Sequence, residues 1–174
     1  DLYKDGWGVL GLIAFGQRLE DKCALCPKTM NVLKEITEKT GLRIITAGFS
    51  CLAPGTVIVP HTGYKGYSSQ IYRVHLGLIV PEGDVVLKVG NSQSKWQTGK
   101  VLAFNDACLH EAWNHSDQSR IVLLLDVERE KGALENLSPA YTKELTTLLN
   151  RVTGEDLEEQ QARIRKALTS DEKE

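Results

Sequence analysis

Ile71-Tyr72-Arg73-Val74-His75-Leu76-Gly77-Leu78-Ile79-Val80, closed by Pro81-Glu82-Gly83, is the stretch on which the fold turns. A short run rich in Val, Ile and Leu, bounded by turn residues, reads as a β-strand. The same pattern recurs on both sides of it. Residues 43–50 and 56–60 precede it, and residues 85–89, 100–104 and 119–127 follow. Pro54-Gly55, Gly90-Asn91-Ser92 and Thr98-Gly99 supply turn signals between them. Short strands at this spacing indicate a β-sandwich or barrel.

The flanks differ in character. Residues 1–25, rich in Gly, Trp and Phe, read as an irregular lead-in. Pro27 can open a helix, Val32, Leu33 and Ile36 share one of its faces, and Gly41 stands where it would end. Beyond Val127 the composition changes again. Ser138 and Pro139 can start a helix that carries Leu145, Leu148, Leu149 and Val152 at helical spacing, and Gly154 closes it. Residues 155–168 are strongly charged with a thin stripe of Leu157, Ile164 and Leu168, a second helix or a solvated arm. The expected organisation is a β-domain over residues 1–130 and a helical extension over 131–174. The extension is expected to lie away from the chemistry.

With 174 residues, 41% of them hydrophobic, the chain is long enough to bury a core. A formal charge of −2 gives no electrostatic footprint for nucleic acid. No apolar run approaches the roughly 20 residues that span a bilayer. A chain near full length would point to the cytoplasm, and one trimmed of an anchor to a luminal domain. Cys23 and Cys26 have the spacing of half a zinc site, but Cys51 and Cys108 do not complete one. Ordinary thiols or a local disulfide are expected there. Oligomeric state is not legible.

Three of the four histidines, His61, His75 and His110, fall in or beside apolar strands. A buried histidine is costly unless it is hydrogen-bonded or bound to metal. Any one alone reads as a satisfied core residue, whereas three in one small β-domain point to a shared site. Arg120 opens the apolar run Ile121-Val122-Leu123-Leu124-Leu125, where a guanidinium can clamp a carboxylate or simply cap a strand end. Arg73 and His75, two apart in one strand, face the same side.

These residues lie in blocks that resemble the aspartyl/asparaginyl β-hydroxylase family. The matching text is Phe49-Ser50, Pro54-Gly55-Thr56, Pro60-His61-Thr62-Gly63 and Arg73-x-His75-Leu76-Gly77-Leu78. It continues with Trp96, Gly99-Lys100-Val101-Leu102-x-Phe104-x-Asp106, His110-Glu111-x-Trp113, Arg120 and Asp126-Val127. Order and spacing fit from about residue 5 to residue 128. The resemblance implies a mainly β, double-stranded β-helix (a cupin-like jelly roll) with a flanking N-terminal helix, holding Fe(II) and 2-oxoglutarate and consuming O2. It implies that His61 and His110 ligate the iron. Gly63 stands where most such oxygenases carry a third, carboxylate ligand, a departure the family shares. Arg120 with Ser50 would hold the distal carboxylate of 2-oxoglutarate, and Arg73 with His75 its metal-bound end. Asp106 would sit beside the metal without binding it. The implied reaction is hydroxylation of a C–H bond, first of all the β-carbon of Asp or Asn in a protein or peptide. Hydroxylation of a lipid acyl chain or of a free amino-acid derivative is the alternative.

Three further readings stay open at this point. Iron halogenases also lack the carboxylate. A non-catalytic cupin would explain the barrel and the histidines, but not Arg120 together with Ser50 and Arg73. A hydrolytic or isomerising cupin metalloenzyme usually has a fuller ligand set. Lys65 and Lys95 are the cations that could meet an acidic substrate. The loop 64–71 and the tail from Lys131 have no placed counterpart in the family pattern.

Overall fold

A computed structural model of the chain describes residues 6–134. Ten strands form two sheets in which every pairing is antiparallel. They are β1 (Trp7–Ala14), β2 (Gln17–Arg18), β3 (Ile44–Leu52), β4 (Thr56–His61), β5 (Ile71–Ile79), β6 (Val85–Val89), β7 (Ser92–Lys95), β8 (Val101–Phe104), β9 (His110–Asn114) and β10 (Arg120–Glu128). The larger sheet runs β2-β1-β3-β10-β5-β8 and the smaller β4-β9-β6-β7. From β3 onward the chain divides its eight strands equally between the two sheets, changing sheet at every step except the β6–β7 hairpin, in the spatial orders 1-8-3-6 and 2-7-4-5. That is the expected jelly roll.

Alternation along the strands separates two cores. Val122 packs between the sheets with Leu52, Ile58, Val85, Leu87, Trp96, Phe104 and Ala112. Its neighbours Leu123 and Leu125 pack outward with Ala47, Met30 and Leu33. Met30 and Leu33 belong to helix α2 (Pro27–Thr40), which therefore closes the outer side of the larger sheet. As the sequence suggests, Pro27 stands in the first turn and Gly41 ends the helix. Gly41 adopts φ 69°, and its amide donates to the Thr37 carbonyl at 2.9 Å.

The lead-in is not irregular. Residues 7–25 supply β1, β2 and a short helix α1 (Glu20–Leu25). Gly8 and Gly11 disguise β1. Gly11 pairs with Gly48 of β3, and it is position 48 that the close approach of β1 restricts, since a side-chain carbon there would come within 2.7 Å of the Leu10 carbonyl oxygen. Two other strands were not legible either. β7 is polar and wholly exposed, the second arm of a hairpin turning at Gly90-Asn91. β9 reads His-Glu-Ala-Trp-Asn, which has no run of apolar residues. The four cysteines are free thiols, and the Cys23 thiol, raised in pKa by burial, donates to the Leu12 carbonyl oxygen at 3.2 Å. The expected tail helices over 138–168 lie outside the described residues. No helix among the described residues is long and apolar enough to cross a membrane.

Candidate active site

The small sheet brings His61 and His110 together. They are register partners on β4 and β9, with ring centroids 4.2 Å apart. Each Nδ1 lies 2.8 Å from a backbone oxygen two residues back, that of Val59 for His61 and of Cys108 for His110. A carbonyl can only accept, so each Nδ1 carries the proton and each Nε2 keeps its lone pair. Two imidazoles locked in this tautomer are a metal-binding pair. Burial, the first cause, and neighbouring His61 hold His110 below the ordinary histidine pKa, the direction a ligand needs.

Gly63 explains why no third ligand stands two residues after His61. A side-chain carbon there would run into the Asp106 carboxylate and the Ser68 hydroxyl. Asp106 is fully buried. It accepts from Ser68 Oγ and Arg73 Nη1, each at 2.5 Å, and lies 3.5 Å from His110 Nε2. Among the described residues no group of three or more His, Cys, Asp or Glu side chains is arranged to hold a metal. The protein thus offers two nitrogens and a carboxylate already committed elsewhere.

The larger sheet contributes the polar side chains that share Val122's inward face. Arg73 is bidentate to Asp126, Nε to Oδ1 at 2.8 Å and Nη2 to Oδ2 at 2.9 Å, and its third nitrogen holds Asp106. Tyr67 OH donates to Asp126 at 3.0 Å. Burial opposes the Arg73 charge, but Asp126 and then Asp106 outweigh it and raise its pKa. Tyr67 is raised well above the usual phenol range by burial and by the Asp126 charge. Loop 64–71 is therefore a buttress, since its Tyr67 and Ser68 hold the two aspartates.

Arg120 is the opposite case. It is 2% exposed, and no carboxylate among the described residues pairs with it. Its Nη1 donates to Ser50 O and Oγ at 3.3 and 3.4 Å, its guanidinium lies 4.6 Å over the Trp96 ring, and its Nε has no partner. Burial lowers its pKa to about 10. His75 is similarly unfinished. Its Nδ1 accepts from Trp96 Nε1 at 3.2 Å, and its buried Nε2 has no partner. Burial first, then the charges of Arg120 and Arg73, hold its pKa well below 6.5. Ring contacts join the two halves: His75 to Phe104 at 5.4 Å, and Phe104 to His110 at 5.2 Å.

Ser50, His61, Arg73, His75, His110 and Arg120 thus line one interior, with Arg73 bound into the protein's own carboxylates. Lys95 is turned away, donating to the Gly83 carbonyl oxygen at 2.9 Å. Trp96, Tyr67 and Ser68 were given no role from sequence. Trp96 carried one signal, an indole stranded in a polar stretch, whereas nothing marked Tyr67 or Ser68. Iron and 2-oxoglutarate fit this interior on the structure's own terms. Two Nε2 lone pairs face the metal requirement, and two unpartnered buried donors, Arg120 Nε and His75 Nε2, suit an acceptor-rich dicarboxylate.

Comparison with known proteins agrees. The family described as Aspartyl/Asparaginyl beta-hydroxylase matches residues 1–130. An ornithine lipid ester-linked acyl 2-hydroxylase of Rhizobium tropici is 41% identical over 123 residues, 69% of this chain and 41% of that protein. The aspartyl/asparaginyl beta-hydroxylase of Homo sapiens is 35% identical over 124 residues, 71% of this chain and 16% of that protein. The chain therefore spans less than half the length of these relatives. A 2OG-Fe(II) oxygenase family oxidoreductase from Burkholderia pseudomallei shares the fold, with a TM-score of 0.53 at 15% identity over 72% of this chain and 70% of that one.

Proposed function

The chain belongs to the aspartyl/asparaginyl β-hydroxylase family, and from that premise we propose that it is an Fe(II)- and 2-oxoglutarate-dependent oxygenase that hydroxylates a C–H bond. The observation that carries the reading is the buried Arg120, which has no carboxylate partner among the described residues and shares one interior with two metal-ready histidines. Bound iron and 2-oxoglutarate would activate O2 for insertion into the substrate, chemistry the protein cannot supply itself. His61 and His110 hold the metal. Arg120, with Ser50, takes the far carboxylate of 2-oxoglutarate, and the His75 Nε2–H meets the end nearer the metal. Arg73, most of whose donors serve Asp126 and Asp106, orients Asp106 beside the metal and turns its remaining N–H groups to ligands. The apolar walls of Trp96 and Phe104 exclude water, which strengthens every one of these contacts.

Asp106 also bears on which chemistry follows. A buried carboxylate packed against Gly63 disfavours a halide at that position and favours solvent, so hydroxylation is preferred over halogenation. The substrate proposed first is an Asp or Asn side chain of a protein or peptide, as the human relative's name states of that protein. The higher identity of the Rhizobium tropici protein supports a second reading, a lipid acyl chain.

The test mixes protein, Fe(II), ascorbate and 2-oxoglutarate with acidic peptides or with ornithine lipid, and measures succinate and hydroxylated product. Substrate-stimulated succinate is expected, and it should vanish in His61→Ala and in His110→Ala. Asp106→Ala should still bind iron if it folds. Loss of iron binding in a folded Asp106→Ala would sink the two-histidine assignment.

A further inference from the structure

We propose that Trp96 is a positioning residue that fixes His75 in its Nε2–H tautomer, so that the imidazole presents a donor rather than a lone pair to the co-substrate. The inference rests on the reading of the site given above, but the tautomer itself can be observed without that reading.

Indole nitrogen is a donor only, so the 3.2 Å contact from Trp96 Nε1 obliges His75 Nδ1 to accept. A neutral imidazole that accepts at Nδ1 carries its proton on Nε2. The other tautomer and the imidazolium would each set N–H against N–H. In a site that water does not reach, an unmade hydrogen bond biases the equilibrium by roughly 5- to 150-fold. The Arg120 and Arg73 guanidiniums, both buried nearby, disfavour the imidazolium further.

The backbone places Trp96 for this task. Gly77, two residues beyond His75 on the same face of β5, meets the Gln97 carbonyl so closely that any side chain would displace it. The Gly77 amide donates to the Lys100 carbonyl oxygen at 3.0 Å, and the Gly99 amide donates back to Gly77 at 2.8 Å. The Gln97–Lys100 turn is thereby fastened to β5, and the indole is laid beside the imidazole, centroids 5.9 Å apart at 24°. Its ring lies under the Arg120 guanidinium. One side chain thus touches both residues that carry an unpartnered donor, His75 at its Nδ1 and Arg120 at its guanidinium face, and leaves His75 Nε2 and Arg120 Nε free. A carboxylate or keto oxygen can only accept, so a His75 lone pair in that place would repel the ligand.

The test is the ¹⁵N spectrum of the His75 ring in the metal-free full chain, with and without Trp96→Phe, which keeps an aromatic ring and removes the N–H. The wild type is expected to show the Nε2–H tautomer alone, and the variant a mixture. The apparent Kd for 2-oxoglutarate, measured with Mn(II) in the metal site, should rise by the reciprocal of the remaining Nε2–H fraction, roughly 2- to 5-fold. In a His75→Phe background, where residue 75 has neither a tautomer nor an amide rotamer to select, Trp96→Phe should leave that Kd unchanged. A wild-type spectrum showing Nδ1–H or imidazolium overturns the proposal even if the variant does not fold, and so does an unaltered tautomer in a folded Trp96→Phe. Failure of wild type to bind 2-oxoglutarate at all, with the Nε2–H tautomer intact, would instead overturn the functional reading.

Discussion

Arg73 and Arg120 lie on the inner face of neighbouring strands, both withdrawn from water, and they are treated in opposite ways. Arg73 meets two aspartates, one in bidentate geometry, and its charge is reinforced. Arg120 meets a serine, an indole and, among the described residues, no acid, and its charge is penalised by burial. A buried charge is normally tolerated only when it is paired. The charge of the first arginine is therefore met mainly within the folded protein, and that of the second, on the proposed reading, would be met by an anionic ligand.

The comparison breaks most easily at Arg73. Arg73→Leu strands two buried carboxylates without a cation, and should cost about 3–5 kcal/mol of unfolding free energy in denaturant melts. Arg120→Leu should leave stability unchanged or slightly raised, because an apolar side chain replaces a desolvated cation that has no acid. What it should lose is stabilisation by 2-oxoglutarate, which in the Mn(II)-loaded wild type amounts to about 2.7 kcal/mol at a hundredfold excess over Kd. Equal losses of stability in the two variants would erase the distinction.

Arg120→Lys is the milder cut. Lysine cannot reproduce a bidentate contact, and the lost charge-assisted hydrogen bond, about 1.5–3 kcal/mol, corresponds to roughly 10- to 150-fold in the Kd for 2-oxoglutarate. Unchanged affinity in isothermal titration would remove Arg120 from the co-substrate site.

A pH effect comes next. His75 has its folded pKa depressed below 6.5, so below that value the unfolded chain binds a proton the native state refuses. Its contribution is fully present above about pH 6.5 and is lost as the pH falls, with a slope of about 1.4 kcal/mol per pH unit. His75→Gln should flatten the stability profile between roughly pH 5 and 6.5, and an unaltered slope would mean that His75 is charged in the native state. The smallest change is Ser50→Ala. It removes a long 3.4 Å contact to Arg120 and an acceptor for Trp7 Nε1 at 2.9 Å. A loss of about 0.5–1.5 kcal/mol, or roughly 2- to 12-fold in 2-oxoglutarate Kd, is expected.

Much of this was readable in advance. The runs at 43–50, 71–80 and 85–89 became β3, β5 and β6 with ends shifted by no more than two residues, because Val- and Ile-rich segments between turn residues have few other uses. Helix α2 began at Pro27 and stopped at Gly41 for the local reasons that marked it. Where signals were not local, reading failed. β3 carries Gly48 because β1 passes close against it, and β1, β7 and β9 are strands because neighbours pair with them. Tyr67 and Ser68 look like ordinary loop residues until the chain folds their hydroxyls onto Asp126 and Asp106.

The sequence by itself determined the family, the alternation that puts Arg73 beside His75, and the six side chains proposed to hold the metal and the co-substrate. It did not determine which arginine would be satisfied. Asp126 lies in the same strand as Arg120, only six residues on, and is far closer in sequence to that arginine than to Arg73. A strand rises about 3.3 Å per residue, so those six residues set the two side chains some ~20 Å apart. Antiparallel register instead places Asp126 directly across from Arg73. Pairing between strands, which no single segment encodes, gave the aspartate to one arginine and left the other without an acid among the described residues.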